Sequence, residues 1–178
     1  LSLTGSKVIQ KKGFYPLIPG VVHVPYAYCY RCPYNLEYDS CCLYCLKYIE
    51  DMLFLKTVDP DDVAAIFVEP IQGEGGYVIP PVEFLKGLRR ICDKYGILLV
   101  FDEVQCGMGR TGKMYAAEHF DIKPDIICLA KGIASGMPLG AIIASSSVMD
   151  WQYGSHASTF GGNPVSCAAA SATLDLLY

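Results

Sequence analysis

Short, uniformly apolar runs that alternate with helical patterns constrain this sequence more than any other feature. From about residue 58 onward, four such runs predict buried strands, at residues 63–68, 97–101, 125–130 and 139–144. Pro80-Pro81 opens a predicted helix that Gly96 caps, and residues 164–178 predict a second helix. Strands without a polar face need cover on both sides. The expected fold class is therefore α/β, a mostly parallel sheet sandwiched by helices.

Charged residues follow these runs at the points where the predicted strands end. Glu69 ends the first run, Asp102-Glu103 the second and Lys131 the third. In parallel α/β sheets, ligands collect outside the carboxyl ends of the strands. The sequence therefore predicts a ligand site at this edge of the sheet.

Composition narrows the class of protein. The chain has 178 residues, of which 52% are hydrophobic and 18% charged, which is typical of a globular domain with a core. Its net charge of −4 gives no reason to expect a nucleic-acid partner. No uncharged apolar run is long enough for a membrane span, and the first residues lack a signal peptide, so we expect no membrane partner and a cytoplasmic location.

The chain changes character near residue 58. Residues 1–57 are rich in Tyr, Cys, Pro and Gly and show little periodicity, which predicts an irregular excursion rather than a second core. Residues 58–178 carry the α/β pattern. Neither end shows a helix or strand boundary signal, so we expect a piece of a longer polypeptide, truncated at both ends.

Lys131 is the first candidate for chemistry, because it follows a wholly apolar strand. A lysine in partly dry surroundings loses its proton more easily, and a neutral amine condenses with an aldehyde. A lone lysine in such a turn is more often simply solvated.

Asp102 and its neighbours strengthen this interpretation. A carboxylate beneath a pyridine ring nitrogen keeps that nitrogen protonated, and the protonated ring is an electron sink. We expect Val104, two residues on, to face the same way and pack on the ring, and Gln105 to donate to a phenolic oxygen. The alternative is that Asp102 caps a turn, and the sequence leaves both readings open.

Four segments resemble the motifs of one family, the class III aminotransferases. Residues 69–76 resemble EPxQGEGG, and residues 101–112 resemble FDEVQxGxGRTG. Residues 124–140 resemble the PDI…AKGIxxGxPLG segment, and residues 156–164 resemble HxxTFGGNP. The match is closest to the 4-aminobutyrate, ornithine and acetylornithine aminotransferase group.

This resemblance implies a cofactor, pyridoxal 5′-phosphate (PLP), and a role for each matching residue. Lys131 would form the Schiff base with PLP and later move the proton at the substrate Cα. Asp102 would pair with the pyridinium nitrogen, Val104 would stack on the ring, and Gln105 would reach the 3′ oxygen. Asp102 and Lys131 are therefore the expected catalytic residues.

The family's dimeric site implies further roles. Thr159 would bind the cofactor phosphate of the neighbouring subunit, and Glu74 would be an acidic gate that pairs with a substrate-handling arginine. That arginine and the turn that cradles the phosphate are expected outside this chain. Arg110 belongs to the motif, but we interpret it as structural.

The expected function follows from the same resemblance. The fold would be the large domain, here incomplete, of a fold-type I PLP-dependent transferase. The enzyme would move an amino group between an amino acid (4-aminobutyrate, ornithine or similar) and a 2-oxo acid, as a homodimer or higher homo-oligomer. A racemase or decarboxylase of the same family, or a non-catalytic α/β fragment, is the alternative.

Five cysteines crowd into the first region, at positions 29, 32, 41, 42 and 45. Cys29-x-x-Cys32 and Cys42-x-x-Cys45 have the spacing of a four-cysteine zinc or iron–sulfur site, with Cys41 as an alternative ligand. One or two disulfides are slightly favoured over a metal, and packing thiols are a third reading. No metal site is therefore predicted.

Overall fold

A computed structural model describes residues 1–178. Four strands form one sheet: β1 Ala65–Val68, β2 Leu98–Asp102, β3 Ile126–Leu129 and β4 Ala141–Ala144. The α-helices are α1 Tyr44–Tyr48, α2 Val82–Tyr95 and α3 Pro164–Leu177. A π-helical turn spans Ile49–Phe54, and 3₁₀ turns span Val8–Gln10, Cys29–Arg31, Pro60–Asp62, Ala116–His119 and Lys131–Ala134.

The sheet has the order β1-β2-β3-β4, and its first three strands are parallel. The predicted mostly parallel α/β sheet is therefore confirmed. β4 runs antiparallel to β3. The reason lies in the connection between them, because residues 130–140 hold a single 3₁₀ turn, and a parallel return needs a longer crossover, usually a helix.

Helix α2 forms where its sequence pattern predicts it. Phe84, Leu85 and Leu88 are at most 2% exposed and face β1 and β2. The helix ends at Gly96, whose φ of 70° is the left-handed conformation that glycine adopts without strain. Each fully buried side chain of this size contributes roughly 1.5–3 kcal/mol, so this face of α2 dominates the core.

The rest of the sheet is less completely covered. Helix α3 packs on the 3₁₀ turn of Lys131–Ala134. Phe67 on β1 and Ile142 and Ile143 on β4 keep 45–53% of their surface exposed. Among the residues of this chain, helical cover is therefore concentrated on the side of α2.

The Tyr- and Cys-rich region packs on the core of α2. Ala27 and Ile49 belong to the same buried cluster as the α2 side chains. The rings of Tyr26 and Phe84 meet edge to face at 5.3 Å, and Leu46 covers Gly87. The boundary at residue 57 stays a prediction. No helix in this chain is both long and apolar enough to cross a bilayer.

Gly87→Ala tests this packing. A Cβ at position 87 would overlap the end of the Leu46 side chain, so we expect the free energy of unfolding to fall by about 1–3 kcal/mol. Helix propensity alone predicts the opposite sign, a gain of about 1 kcal/mol. Urea unfolding checks the change.

The matched control is the same substitution in a Leu46→Ala background. There the overlap is absent, so Gly87→Ala should be neutral or stabilising. An equal loss in both backgrounds would show that Leu46 does not rest on this glycine.

Candidate active site

The parallel register brings three chain segments to one edge of the sheet. Val68 pairs with Phe101 and Asp102 pairs with Cys128, so Glu69, Asp102 and the residues after Leu129 follow at the same edge. A cleft of about 790 Å³ opens there. The predicted site residues on its wall are Val104, Gln105 and Lys131.

Lys131 stands at the head of the 3₁₀ turn that follows β3. Its Nζ donates a hydrogen bond to Oε1 of Gln105. Its backbone φ is +46°, in the left-handed region that costs a residue with a Cβ roughly 1–2 kcal/mol. Such a conformation persists where the surrounding structure requires it, and it clusters at functional sites.

Gly73 holds the partner of this lysine in place. A Cβ on Gly73 would overlap the Gln105 side chain, with Gln105 Cβ itself at 2.9 Å. The Gly73 N–H donates to Oε2 of Glu69 at 2.6 Å. Glu69 therefore fixes the loop, the loop packs on Gln105, and Gln105 holds the lysine amine. The sequence contained the glycine-rich motif but gave no sign of this contact.

Asp102 ends β2 beside the cleft without lining it, and it is half-buried. Its Oδ1 accepts the N–H of Val104 at 3.0 Å. We expected Val104 to face the same way as Asp102 because side chains alternate along a strand. That reason is wrong, since the strand ends at Asp102 and Val104 lies in a turn. Asp102 makes the turn-capping bond of the alternative reading, and its Oδ2 accepts no hydrogen bond.

Burial and the charge of Asp102 change the pKa values of the neighbouring Glu69 and Cys128. Burial raises the pKa of Glu69, the hydrogen bond from Gly73 opposes the rise, and the nearby charge of Asp102 adds to it. Burial, and then Asp102, also raise the pKa of the Cys128 thiol. Asp102 therefore contributes negative potential to both neighbouring strand ends.

Glu103 is a structural carboxylate that the sequence reading missed. It is 1% exposed, and its oxygens accept the N–H groups of Ala116 and Ala117 at 2.9 and 2.8 Å. The thiol of Cys106 also donates to it at 3.3 Å, and burial, with the charge of Glu103, raises the pKa of Cys106 to about 12. A charged residue directly after an apolar run was the only available signal.

Two predicted residues lie away from the cleft wall. Glu74 is exposed and pairs with Lys7 at 2.8 Å. Thr159 is exposed in the loop between β4 and α3. Arg110, interpreted as structural, lies on the cleft wall beside Thr111. The roles of Glu74 and Thr159 stay predictions.

All nine cysteines are free thiols in the structure, so the favoured disulfide is not present there. No group of three or more Cys, His, Asp or Glu side chains has the arrangement of a metal site.

Glu69→Gln tests the electrostatics of this edge. Because the pKa of Glu69 is raised, the folded state binds the proton more tightly than the unfolded state does. The ionised carboxylate therefore lowers the free energy of unfolding at neutral pH. This loss disappears below about pH 4.3, the ordinary pKa of glutamate, where the carboxyl group is protonated in both states. We expect the wild type to gain stability relative to the glutamine variant as the pH falls through this range. Urea unfolding of both proteins across pH checks it.

Glu74→Gln is the matched control, with the opposite sign. The hydrogen bond from Lys7 lowers the pKa of Glu74, so the wild type should lose stability relative to that variant as the pH falls. The same trend in both variants would contradict the assignment.

Known proteins of one family resemble this chain in sequence and structure. The profile of "Aminotransferase class-III" matches residues 1–178. An alanine/serine racemase of Pyrococcus horikoshii is 46% identical over 180 residues, which cover 99% of this chain and 38% of that protein. The chain thus spans well under half the length of that curated relative.

Solved structures agree in fold. An amine transaminase from an uncultivated Pseudomonas species, in its PLP-bound form, superposes with a TM-score of 0.89 at 33% identity, over 99% of this chain and 41% of that chain. An ornithine aminotransferase from Plasmodium yoelii gives a TM-score of 0.67 at 40% identity, over 80% and 36%. The chain belongs to the class III aminotransferase family, whose enzymes depend on PLP.

Proposed function

We propose that this chain forms the PLP-holding core of an aminotransferase. The enzyme moves an amino group between an amino acid, such as 4-aminobutyrate or ornithine, and a 2-oxo acid. The observation that carries the proposal is that Lys131 lies on one cleft wall with Val104 and Gln105, and that Asp102 accepts the Val104 N–H beside that wall.

The residues present fit PLP. The cleft volume of about 790 Å³ is within the usual range for small-molecule sites. Its wall offers an amine from Lys131, an apolar surface from Val104 and an amide from Gln105. Because Gly73 has no side chain, the Gln105 side chain has space that any larger residue at position 73 would occupy. Asp102 has one carboxylate oxygen not committed to a hydrogen bond.

When bound, PLP supplies an aldehyde that condenses with an amino group and a pyridine ring that draws electrons from the substrate Cα. Lys131 would supply the amine, and its Nζ would hold the proton that leaves the substrate Cα and is later returned. Gln105 orients that amine through its Oε1. Asp102 supplies negative charge, and its bond to the Val104 N–H fixes the carboxylate and the apolar side chain together.

Partners belong to the same proposal. We take the substrates to be a small amino acid and a 2-oxo acid, with Glu74 as the gate residue. Thr159 would serve the neighbouring subunit of a homodimer, in keeping with its exposure in a loop that does not line this chain's own cleft. The cytoplasmic location stays a prediction.

Racemisation is the second candidate function, favoured by the 46% identity to an alanine/serine racemase. The same lysine and aspartate would serve it, because both reactions remove the proton from Cα. An assay with L-alanine and no 2-oxo acid separates the two: a racemase accumulates D-alanine, whereas an aminotransferase stops after converting its bound cofactor.

Lys131→Ala tests the amine. Borohydride reduction of the full-length enzyme mixed with PLP, followed by peptide mass spectrometry, should place the pyridoxyl group on Lys131 in the wild type. The variant should lose this label, and turnover should fall by at least about 10²-fold, because one amine carries both the covalent and the proton-transfer roles.

Lys113→Ala is the matched control, since Lys113 is exposed and lies outside the cleft wall. It should keep both the label and the turnover. Reduction of the cofactor onto Lys113 or Lys123 in the wild type would overturn the assignment of Lys131.

Asp102→Asn separates the electrostatic role of the carboxylate from its role as a cap for the turn. Asparagine keeps an oxygen for the Val104 N–H, so the melting temperature should hold, while the rate of the first half-reaction should fall by about 10²-fold because the negative charge is gone. Stopped-flow absorbance measures that rate.

Asp102→Ala, which removes the cap as well, should lower both stability and rate. If the asparagine variant reacts within about threefold of the wild type, Asp102 is a turn cap and the electrostatic role is wrong, since electrostatic losses are far larger.

A further inference from the structure

The cysteine-rich region converges on one small cavity that the proposed function does not use. Of the five clustered cysteines, positions 29, 32, 41 and 45 line a cavity of about 20 Å³ together with several tyrosines, whereas Cys42 does not. A volume of this size holds about one water molecule. Cysteines from two separate segments therefore border the same small cavity.

The backbone explains why Cys41 and not Cys42 joins this group. Cys42 and Leu43 both have positive φ, 48° and 53°, so the chain reverses sharply there before α1 begins at Tyr44. Cys41 stays on the cavity side, where its Sγ donates to the Tyr38 carbonyl at 3.4 Å. Cys42 is exposed to solvent. The spacing in the sequence left Cys41 and Cys42 as alternatives, whereas only Cys41 lines the cavity.

Electrostatic coupling identifies the neighbours within the group. Burial raises the pKa of Cys29, and Cys41 and then Cys32 add to the rise. Burial raises the pKa of Cys45 to about 11, and Cys41 and Cys29 add to the rise. Cys41 is thus the strongest thiol neighbour of both, and it lies on the segment opposite Cys29.

Accessibility then excludes Cys45, and the order of the charge interactions at Cys29, with Cys41 ahead of Cys32, selects Cys41 as the partner of Cys29. Cys29 is exposed and Cys41 is half-exposed, so a dissolved oxidant reaches both. Cys45 is buried, so a dissolved oxidant does not reach it. A metal is disfavoured because no three of these thiols are arranged to hold one.

We propose that Cys29 and Cys41 are a thiol–disulfide pair that links the turn of Cys29–Arg31 to the segment before α1. With glutathione disulfide as oxidant, the Cys29 thiolate attacks one sulfur and releases one glutathione thiolate. The Cys41 thiolate then attacks the Cys29 sulfur and releases the second. Two electrons pass to glutathione, and each protein thiol loses its proton to solvent.

The link would brace the region against the core. Tyr38, between the two cysteines, donates its hydroxyl to Glu83 of α2 at 3.2 Å. Closing the chain between residues 29 and 41 restricts the unfolded state and leaves this contact in place. The oxidised protein should therefore melt at a higher temperature than the reduced one.

Peptide mapping tests the pair in the intact chain. The native protein is treated with glutathione disulfide, free thiols are blocked with N-ethylmaleimide, and trypsin then cuts after Arg31 and Lys47. We expect a mass loss of two hydrogen atoms and a cross-link between peptides 13–31 and 32–47. Further cleavage after Glu37 removes Cys32, and fragmentation should place the link on Cys41.

Cys42→Ser is the matched control for Cys41→Ser. The first variant should form the link at the wild-type rate and the second should not. In urea, where the backbone no longer separates them, Cys41 and Cys42 should link to Cys29 in comparable amounts.

Three outcomes would overturn the proposal. They are a link that survives Cys41→Ser in the native protein, the formation of glutathione adducts alone, and the stoichiometric binding of added Zn²⁺ that shields all four cavity thiols from N-ethylmaleimide.

Discussion

The buried carboxylate of Glu103 constrains everything that follows β2. A charge that is 1% exposed is stable only when its hydrogen bonds are satisfied, and here two backbone N–H groups and a thiol satisfy them. Those donors lie on the far side of the turn, at residues 106, 116 and 117. The chain must therefore fold back over Glu103, and this return fixes the positions of Val104 and Gln105 on the cleft wall.

From that turn a series of contacts reaches the lysine. Gln105 accepts from Lys131, Gly73 packs on Gln105, and Glu69 accepts from Gly73. These residues follow the ends of three parallel strands, so the site is assembled by the parallel register rather than by any single loop. This is why motifs separated by tens of residues in the sequence act as one unit in the structure.

The sequence predicted the helix α2, the four strands and a site at one edge of the sheet, where Val104, Gln105 and Lys131 line the cleft, because apolar periodicity and strand ends are local properties. It placed Val104 by strand alternation, whereas the strand ends at Asp102, two residues before Val104, which lies in a turn. It did not distinguish Cys41 from Cys42, because the positive φ of Cys42 is set by how the segment packs. Nor did it reveal the bonds of Glu103, because the two backbone N–H groups that it accepts belong to Ala116 and Ala117, 13 and 14 residues away along the chain.

The left-handed backbone of Lys131 determines which residue a mutational screen would favour at this position. Glycine adopts a φ of +46° without strain, whereas any residue with a Cβ does not. A screen that rewards thermal stability alone would therefore enrich glycine at position 131 and discard the amine. A screen that rewards turnover would retain lysine at the expense of stability. The two selections therefore diverge at this one residue.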